Sequence, residues 1–261
     1  MDTDARRQAS DLLYGHWMAG SRIDTVPPAI RPGTRAEGYA IQALLEKRSP
    51  SPIAGWKIAA TSAAGQAHIA VDGPLAGRIL AERLIEPGGR CTLGSSLMRC
   101  AELEFAFRMA RTLAPRTTSY EIDEVLGAVA SLHLAIELPD SRYEVFEKAG
   151  APQLIADNAC ANWFVIGPPV SAAWREIDLA AHEVTGRISG GAPQPGKGSN
   201  VLGDPRLALT WLVNELSAYG IALREGEVVS TGTCVPPMTI APGDHVHGDF
   251  GTLGTIEVTI D

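Results

Sequence analysis

The sequence predicts a protein of the α+β class, in which a helical N-terminal region precedes a body rich in β-strands. Two stretches, residues 99–107 and residues 132–139, alternate apolar and polar residues with a period of two, which is typical of strands with one buried face. The first 50 residues instead carry apolar side chains at helical spacing. Because no long linker or repeat separates these parts, we expect a helical cap over residues 1–50 and a mixed body over residues 51–261 that form one compact unit.

The N-terminal cap is predicted to contain two helices. The first covers residues 4–19, where Leu12, Leu13 and Trp17 share one face. The second covers residues 34–48, where Thr34 is the expected N-cap and Glu37 completes a capping box. The prolines that follow residue 49 end this helix.

Residues 53–62 predict a short apolar strand that contains Lys57. A lysine in this setting is either an edge residue that extends its amine to solvent or a functional amine whose pKa burial lowers. A short helix is expected over residues 63–69. Residues 72–77, rich in turn-forming residue types, are expected to form a lid loop.

The remaining elements are a mixture of strands and helices. A helix over residues 120–131, capped by Thr118 or Ser119, is expected between the two alternating strands. The clearest helix spans residues 204–220, with an aspartate cap, a proline at its first position and a terminal glycine. Further strands are expected at residues 163–166, 182–188, 227–233, 244–247 and 254–260.

Composition and charge exclude several classes of protein. The 261 residues carry a net charge of −8 and form no basic stripe, which argues against nucleic acid as a partner. No apolar run is long enough to cross a bilayer, and the N-terminus lacks the apolar core of a signal peptide. We therefore expect a cytoplasmic protein. The four cysteines are scattered, so they predict free thiols rather than a zinc site.

The stretch with most chemical content is the alternating strand over residues 99–107. Glu102 and Glu104 lie two residues apart, so a strand projects both carboxylates from one face. Such carboxylates repel unless a cation lies between them, and hard divalent cations prefer oxygen ligands. The pattern is consistent with a metal site or with a solvated acidic face. Glu137, on the polar side of the second alternating strand, would supply a third carboxylate.

Seven segments occur in an order that resembles the fumarylacetoacetate hydrolase superfamily. Within it, the chain is most similar to the 2-keto-4-pentenoate hydratases and their sister 4-oxalocrotonate decarboxylases. The segments are GWKIAATS (55–62), VDGP (71–74), AELE (101–104), IELPDSR (136–142), ADNA (156–159), GSNVLGDP (198–205) and GEVVSTGT (226–233).

This resemblance implies a mixed, strongly curled β-sheet roll with flanking helices, in which residues 51–261 form the catalytic domain. It implies that Mg²⁺ or Mn²⁺ is held by Glu102, Glu104 and Glu137, and that Lys57 serves in proton transfer. It also implies a homo-oligomer, or a complex with a related hydratase or decarboxylase.

The expected activity is that of a lyase of aromatic-compound catabolism. A metal-dependent hydratase would add water to a 2-hydroxy-2,4-dienoate and release a 4-hydroxy-2-oxo acid. We expect burial and the nearby cation to lower the Lys57 pKa. Arg142 could bind the substrate carboxylate or pair with Asp140. The candidate substrate contacts are Thr61, Asp72, Arg142, Asp157, Asn158, Thr231 and Thr233.

One departure from the family pattern leaves alternatives open. The hydratases carry a second acid shortly after the position of Asp72, where this chain has Leu75. If that acid positions water, its absence favours decarboxylation of a 2-oxo-3-enedioate, which needs no such water. Acylpyruvate hydrolysis and a non-catalytic companion subunit are further alternatives. Retention of Lys57 and the three glutamates argues against the companion.

Overall fold

A computed structural model describes all 261 residues. The α-helices are α1 (Thr3–Ala19), α2 (Arg35–Gln42), α3 (Ala63–His68), α4 (Ile122–Leu126), α5 (Ala151–Ala156) and α6 (Pro205–Ala218). Short 3₁₀ turns lie at Pro28–Ile30, Ala43–Lys47, Ala81–Arg83, Phe146–Lys148, Asn158–Cys160, Trp174–Glu176, Gly198–Asn200 and Gly251–Leu253. No helix combines the length and apolar composition that crossing a bilayer requires.

Thirteen strands make up the rest of the regular structure. They are β1 (Gly55–Ala59), β2 (Leu75–Ile79), β3 (Leu84–Ile85), β4 (Arg90–Cys91), β5 (Cys100–Met109), β6 (Val129–Leu138), β7 (Trp163–Pro169), β8 (Glu183–Ile188), β9 (Gln194–Lys197), β10 (Val228–Thr233), β11 (Met238–Thr239), β12 (His245–Asp249) and β13 (Thr255–Ile260).

The strands form two sheets. The larger sheet is a curled half-barrel in the order β2-β1-β10-β5-β6-β7-β3, with β11 also paired to β5. The smaller has the order β4-β13-β12-β8-β9. Pairing is parallel for β1 with β10, β3 with β7 and β13 with β4, and antiparallel elsewhere. The predicted α+β class and curled mixed sheet are confirmed.

The two faces of β5 have opposite roles. Leu103 packs so closely on the smaller sheet that a Cβ added at Gly248 would lie 2.9 Å from its Cδ2 atom. The Phe105 ring lies 5.2 Å from that of Phe250, in an edge-to-face arrangement. Side chains of a strand alternate between its two faces. Glu102 and Glu104 therefore lie on the face of β5 opposite to the one that packs on the smaller sheet, where they can form a site.

The N-terminal helices begin and end at residues of the predicted kind. Thr34 caps α2 by accepting a hydrogen bond from the Glu37 N–H at 3.2 Å. The Glu37 carboxylate accepts from the Gly33 N–H at 2.8 Å, so the reciprocal bond of the capping box is displaced by one residue. The carboxylate also accepts from the N-terminal amine of Met1 at 2.7 Å, which ties the chain start to α2.

Two expectations about local structure were wrong. The helix expected over residues 120–131 is only α4, because the chain turns at Gly127 and Val129 then pairs with β5 as the first residue of β6. The second half of the expected lid over residues 72–77 belongs to β2, which is fully buried and pairs with β1 along its whole length. In both cases a long-range strand pairing overrides the local turn and helix signals.

Candidate metal centre

Three carboxylates meet on one face of the larger sheet. The antiparallel register of β5 and β6 places Glu102 directly opposite Glu137, and Glu104 follows two residues along β5. One oxygen of each carboxylate lies within 4.8 Å of the others. Glu104 and Glu137 are fully buried, whereas Glu102 keeps partial contact with solvent. The cluster therefore opens to solvent on the side of Glu102.

A β-bulge in β10 orients Glu104. Ser230 pairs with Ala106 and Thr233 with Glu104, so β10 has one extra residue over this interval. The Glu104 Oε2 atom accepts hydrogen bonds from Ser230 Oγ at 2.6 Å and from the Gly232 N–H at 2.9 Å. Gly232 has a φ of 109°, and an added Cβ would lie 2.2 Å from Thr61 Oγ1. Glycine is therefore required for the bulge to reach Glu104.

The remaining oxygens of the cluster match the needs of a divalent cation. Glu104 Oε1 and both oxygens of Glu137 are buried, and the only polar partner among them is Lys57 Nζ, which lies 2.9 Å from Glu137 Oε1. Burial raises the pKa of Glu102 and Glu137, while burial and the charge of Glu102 raise that of Glu104 to about 7. An all-oxygen donor set with unsatisfied buried carboxylates fits Mg²⁺ or Mn²⁺ and offers nothing to a soft metal.

Lys57 lies beside the cluster, on β1. Its side chain is almost fully buried, and Nζ lies 2.9 Å from Glu137 Oε1. Nζ also donates a hydrogen bond to the Ala159 carbonyl at 3.0 Å. Burial favours a lower Lys57 pKa, but the charges of Glu137 and Glu102 outweigh it and raise the pKa. This direction is the opposite of the lowered pKa expected from the sequence.

Arg142 and Asp157 bind each other rather than facing an open site. Arg142 Nε donates to Asp157 Oδ1, and the Arg142 N–H donates to Asp157 Oδ2 at 2.9 Å. Asp157 Oδ2 also accepts from Ser141 Oγ at 2.7 Å, and Arg142 Nη1 donates to the carbonyls of Asp140 and Ala161. Both side chains are buried and have their polar atoms engaged within the protein.

The Asn158 side chain is also engaged by the backbone. Its Oδ1 accepts from the Arg78 N–H at 2.7 Å, and its Nδ2 donates to the Arg78 carbonyl at 2.8 Å. The amide thus completes the pairing of the β2 edge. The roles of Arg142, Asp157 and Asn158 toward a substrate stay predictions, but their hydrogen bonds are those of a scaffold.

The other candidate contacts lie at different distances from the cluster. Thr61 is buried against Gly232, and therefore next to the bulge that holds Glu104. Thr231 and Thr233 donate their hydroxyls to the backbone carbonyls of Phe105 at 2.8 Å and Val235 at 2.6 Å. Asp72 is exposed in a surface loop. Thr61 therefore lies next to the bulge that holds Glu104, and Thr233 lies opposite Glu104 in the register of β10 and β5.

Three groups at the site were not predicted from the sequence. They are the hydroxyl of Ser230 and the N–H of Gly232, which hold Glu104, and the carbonyl of Ala159, which holds Lys57. A serine two residues before a glycine at the end of a strand is the only sequence signal for the first two. Backbone carbonyls leave no sequence signal.

Comparison with known proteins identifies the family. The family model "Fumarylacetoacetate (FAA) hydrolase C-terminal" matches residues 80–261. The chain is 31% identical over 231 residues to a 2-keto-4-pentenoate hydratase of Burkholderia vietnamiensis, covering 87% of this chain and 86% of that protein. It is 29% identical over 204 residues to a 4-oxalocrotonate decarboxylase of Pseudomonas sp, covering 77% and 76% of the two proteins.

A solved structure has the same fold over the whole chain. The 4-oxalocrotonate decarboxylase from Pseudomonas putida G7, complexed with magnesium and adipate, superposes with a TM-score of 0.91 at 24% identity. The match covers 100% of this chain and 99% of that protein. Together with the match of the family model over most of the chain, this fold confirms the resemblance drawn from the sequence motifs. The chain belongs to the fumarylacetoacetate hydrolase family.

Proposed function

We propose that this protein is a metal-dependent hydratase of aromatic-compound catabolism. It would convert a 2-hydroxy-2,4-dienoate of the 2-keto-4-pentenoate type into a 4-hydroxy-2-oxo acid. The observation that carries the proposal is the cluster of three glutamates, two of them fully buried with unsatisfied oxygens, next to a buried lysine. The hydratase named above, at 31% identity, supports the same reaction.

Glu102, Glu104 and Glu137 would hold Mg²⁺ or Mn²⁺. When bound, the ion supplies a Lewis acid that polarises the oxygens of a 2-oxo acid. The protein orients the ligands in advance, because Ser230 and the Gly232 N–H hold one oxygen of Glu104 and leave the other exposed to the cluster.

Lys57 would move the proton. Its Nζ lies at the edge of the cluster, held by Glu137 and the Ala159 carbonyl, and is excluded from bulk water. As an ammonium it would donate a proton to the terminal carbon of the dienol, and the proton that the 2-hydroxyl loses would restore the ammonium, which gives the 2-oxo-3-enoate. Addition of water across the remaining C=C bond, with hydroxyl to C4 and a proton to C3, balances the reaction.

One observation favours a second candidate, decarboxylation of a 2-oxo-3-enedioate. Leu75 pairs with Ala59 on β1, and paired residues of antiparallel strands share a face, as do Lys57 and Ala59 on one strand. Where hydratases carry an acid, this chain thus has the apolar Leu75, which is fully buried and lies on the same face as Lys57. Loss of CO₂ requires no residue that positions water, so an apolar residue at position 75 would not impede it.

An ultraviolet assay separates the two reactions. Purified protein with Mg²⁺ is offered 2-hydroxypenta-2,4-dienoate and, separately, 2-oxo-3-hexenedioate, with EDTA-treated protein as the control. We expect Mg²⁺-dependent loss of dienol absorbance with the first substrate at a higher kcat/KM than CO₂ release from the second. The opposite ranking would replace the hydratase by the decarboxylase, and no turnover of either would refute both.

A further inference from the structure

The 3₁₀ turn that faces Lys57 has an unusual backbone. Asn158, Ala159 and Cys160 have φ values of 58°, 51° and 61°, so three consecutive residues other than glycine are left-handed. Residues with a Cβ adopt this region singly and at an energetic cost. Such a conformation persists only where the surrounding structure holds it, and it is concentrated at functional sites.

Contacts on three sides hold this turn. The Asn158 amide bonds both backbone groups of Arg78 on the β2 edge, as described above. Before and after the turn, Arg142 bonds Asp157 and the Ala161 carbonyl. The Asp140 N–H donates to the Cys160 carbonyl at 2.9 Å, which ties the turn to the segment that leaves β6.

The held turn presents one group to the site, the carbonyl of Ala159. This carbonyl accepts from Lys57 Nζ at 3.0 Å and is the only hydrogen-bond acceptor of that ammonium apart from its ion pair with Glu137. The turn also packs closely against Gly77 of β2, because a Cβ added at Gly77 would lie 2.4 Å from the Asn158 carbonyl oxygen and 3.1 Å from Lys57 Cδ. The turn, Gly77 and the lysine side chain therefore pack as one unit.

We propose that Asn158 is a positioning residue for Lys57. By clamping the left-handed turn to β2, its amide aims the Ala159 carbonyl at the ammonium and holds Nζ next to the carboxylate cluster. The inference rests on the proposed function for the role of Lys57, but its geometry can be tested separately. The Asn158 amide bonds both backbone groups of Arg78, so its positioning role is argued from these bonds and not from a contact with the substrate.

The chain offers a matched control in Gln42. This residue is also a buried amide whose nitrogen donates to a β2 carbonyl, that of Ala76, at 2.9 Å. Gln42 ties β2 to α2 and α5, accepts from the Arg78 guanidinium, and makes no hydrogen bond with the left-handed turn or with Lys57. Asn158→Ala and Gln42→Ala thus remove comparable bonds from the same strand, and only the first acts on the lysine.

The test compares thermal unfolding, kcat, KM and Mg²⁺ binding in the two variants. Both should lose thermal stability, but only Asn158→Ala should lose kcat, by about tenfold or more, with KM and the Mg²⁺-dependent thermal shift close to wild type. In a Lys57→Met background, Asn158→Ala should change the residual rate by less than about twofold, because the residue acts through the lysine. Equal kcat in Asn158→Ala and Gln42→Ala, or additive losses with Lys57→Met, would overturn the proposal.

Two further measurements test the positioning role of Asn158 even if the alanine variant does not fold or the substrate differs from the proposed one. If Asn158→Ala does not fold, Asn158→Gly removes the same amide but tolerates the φ of 58° at this position, and it should show a loss in kcat of the same kind. In a crystal structure of the variant, the turn should leave the left-handed region and Lys57 Nζ should leave the Ala159 carbonyl. An unchanged bond there would refute positioning, whatever substrate the wild-type protein turns over.

Discussion

Glu104→Gln should make the metal-free protein more stable while abolishing its response to Mg²⁺. Glu104 is fully buried, and its Oε2 atom accepts from Ser230 and Gly232. The oxygen of a glutamine can keep both bonds, and its amide nitrogen replaces the unsatisfied Oε1 next to two other carboxylates. The substitution therefore removes a buried charge without removing the hydrogen bonds that orient the side chain.

The magnitude follows from the pKa of this group. Burial and the charge of Glu102 raise the Glu104 pKa from 4.5 to about 7. At about 1.4 kcal/mol per pKa unit, the ionised form costs about 3 kcal/mol of folding free energy. Because the native pKa lies above the unfolded one, this cost is absent at low pH, grows as pH rises from 4.5 to about 7, and is constant above that.

Thermal unfolding in EDTA measures this effect directly. At about pH 8, we expect a gain of about 3 kcal/mol for Glu104→Gln, or roughly 6–12 °C in Tm. The gain in stability should shrink toward zero as the pH falls to the pKa of a free glutamate. Excess Mg²⁺ should raise the Tm of the wild type and leave the variant unchanged. A variant that is less stable than wild type in EDTA above neutral pH, or that retains the Mg²⁺ shift, would refute the reasoning.

The remaining predictions concern the amine, the bulge and the assembly. Lys57→Met should retain Mg²⁺ and substrate affinity but lose kcat by about a hundredfold or more. Lys57→Arg should also be inactive, because a guanidinium does not release its proton. Near-normal turnover by Lys57→Met would show that the lysine has no role in proton transfer. Gly232→Ala should lower the free energy of unfolding by about 2 kcal/mol or more and weaken Mg²⁺ binding, because the added Cβ would overlap Thr61. Wild-type stability in calorimetry would contradict the argument that the bulge requires glycine. We also propose a homo-oligomer, and light scattering that gives a clean monomer at micromolar concentration would exclude it.

The central strand and its chemistry were predictable because they depend on local alternation. Period-two spacing places Glu102 and Glu104 on one face whatever the partner strand, and the same rule selects Glu137 on β6. The helix over residues 204–220 was similarly evident, since Asp204 caps it and Pro205 begins it. These features need no knowledge of long-range contacts.

Features that depend on pairing between distant segments were not predictable. The register that sets Glu102 opposite Glu137 joins segments more than 30 residues apart, and β2 is a strand only because β1 pairs with it. The residue types do not predict a left-handed turn at Ala159, because alanine disfavours this conformation and contacts with distant segments hold it. For the same reason the sequence does not show that Arg142 and Asp157 pair with each other.

Product analysis by proton NMR tests the central claim most directly. Wild-type protein is incubated with 2-hydroxypenta-2,4-dienoate, with and without Mg²⁺, and the products are followed to completion. The account predicts Mg²⁺-dependent conversion to 4-hydroxy-2-oxopentanoate, with hydroxyl added at C4, and no conversion in Glu104→Gln. Accumulation of the ketonised 2-oxo-3-enoate without hydration, or equal conversion without a divalent ion, would contradict it.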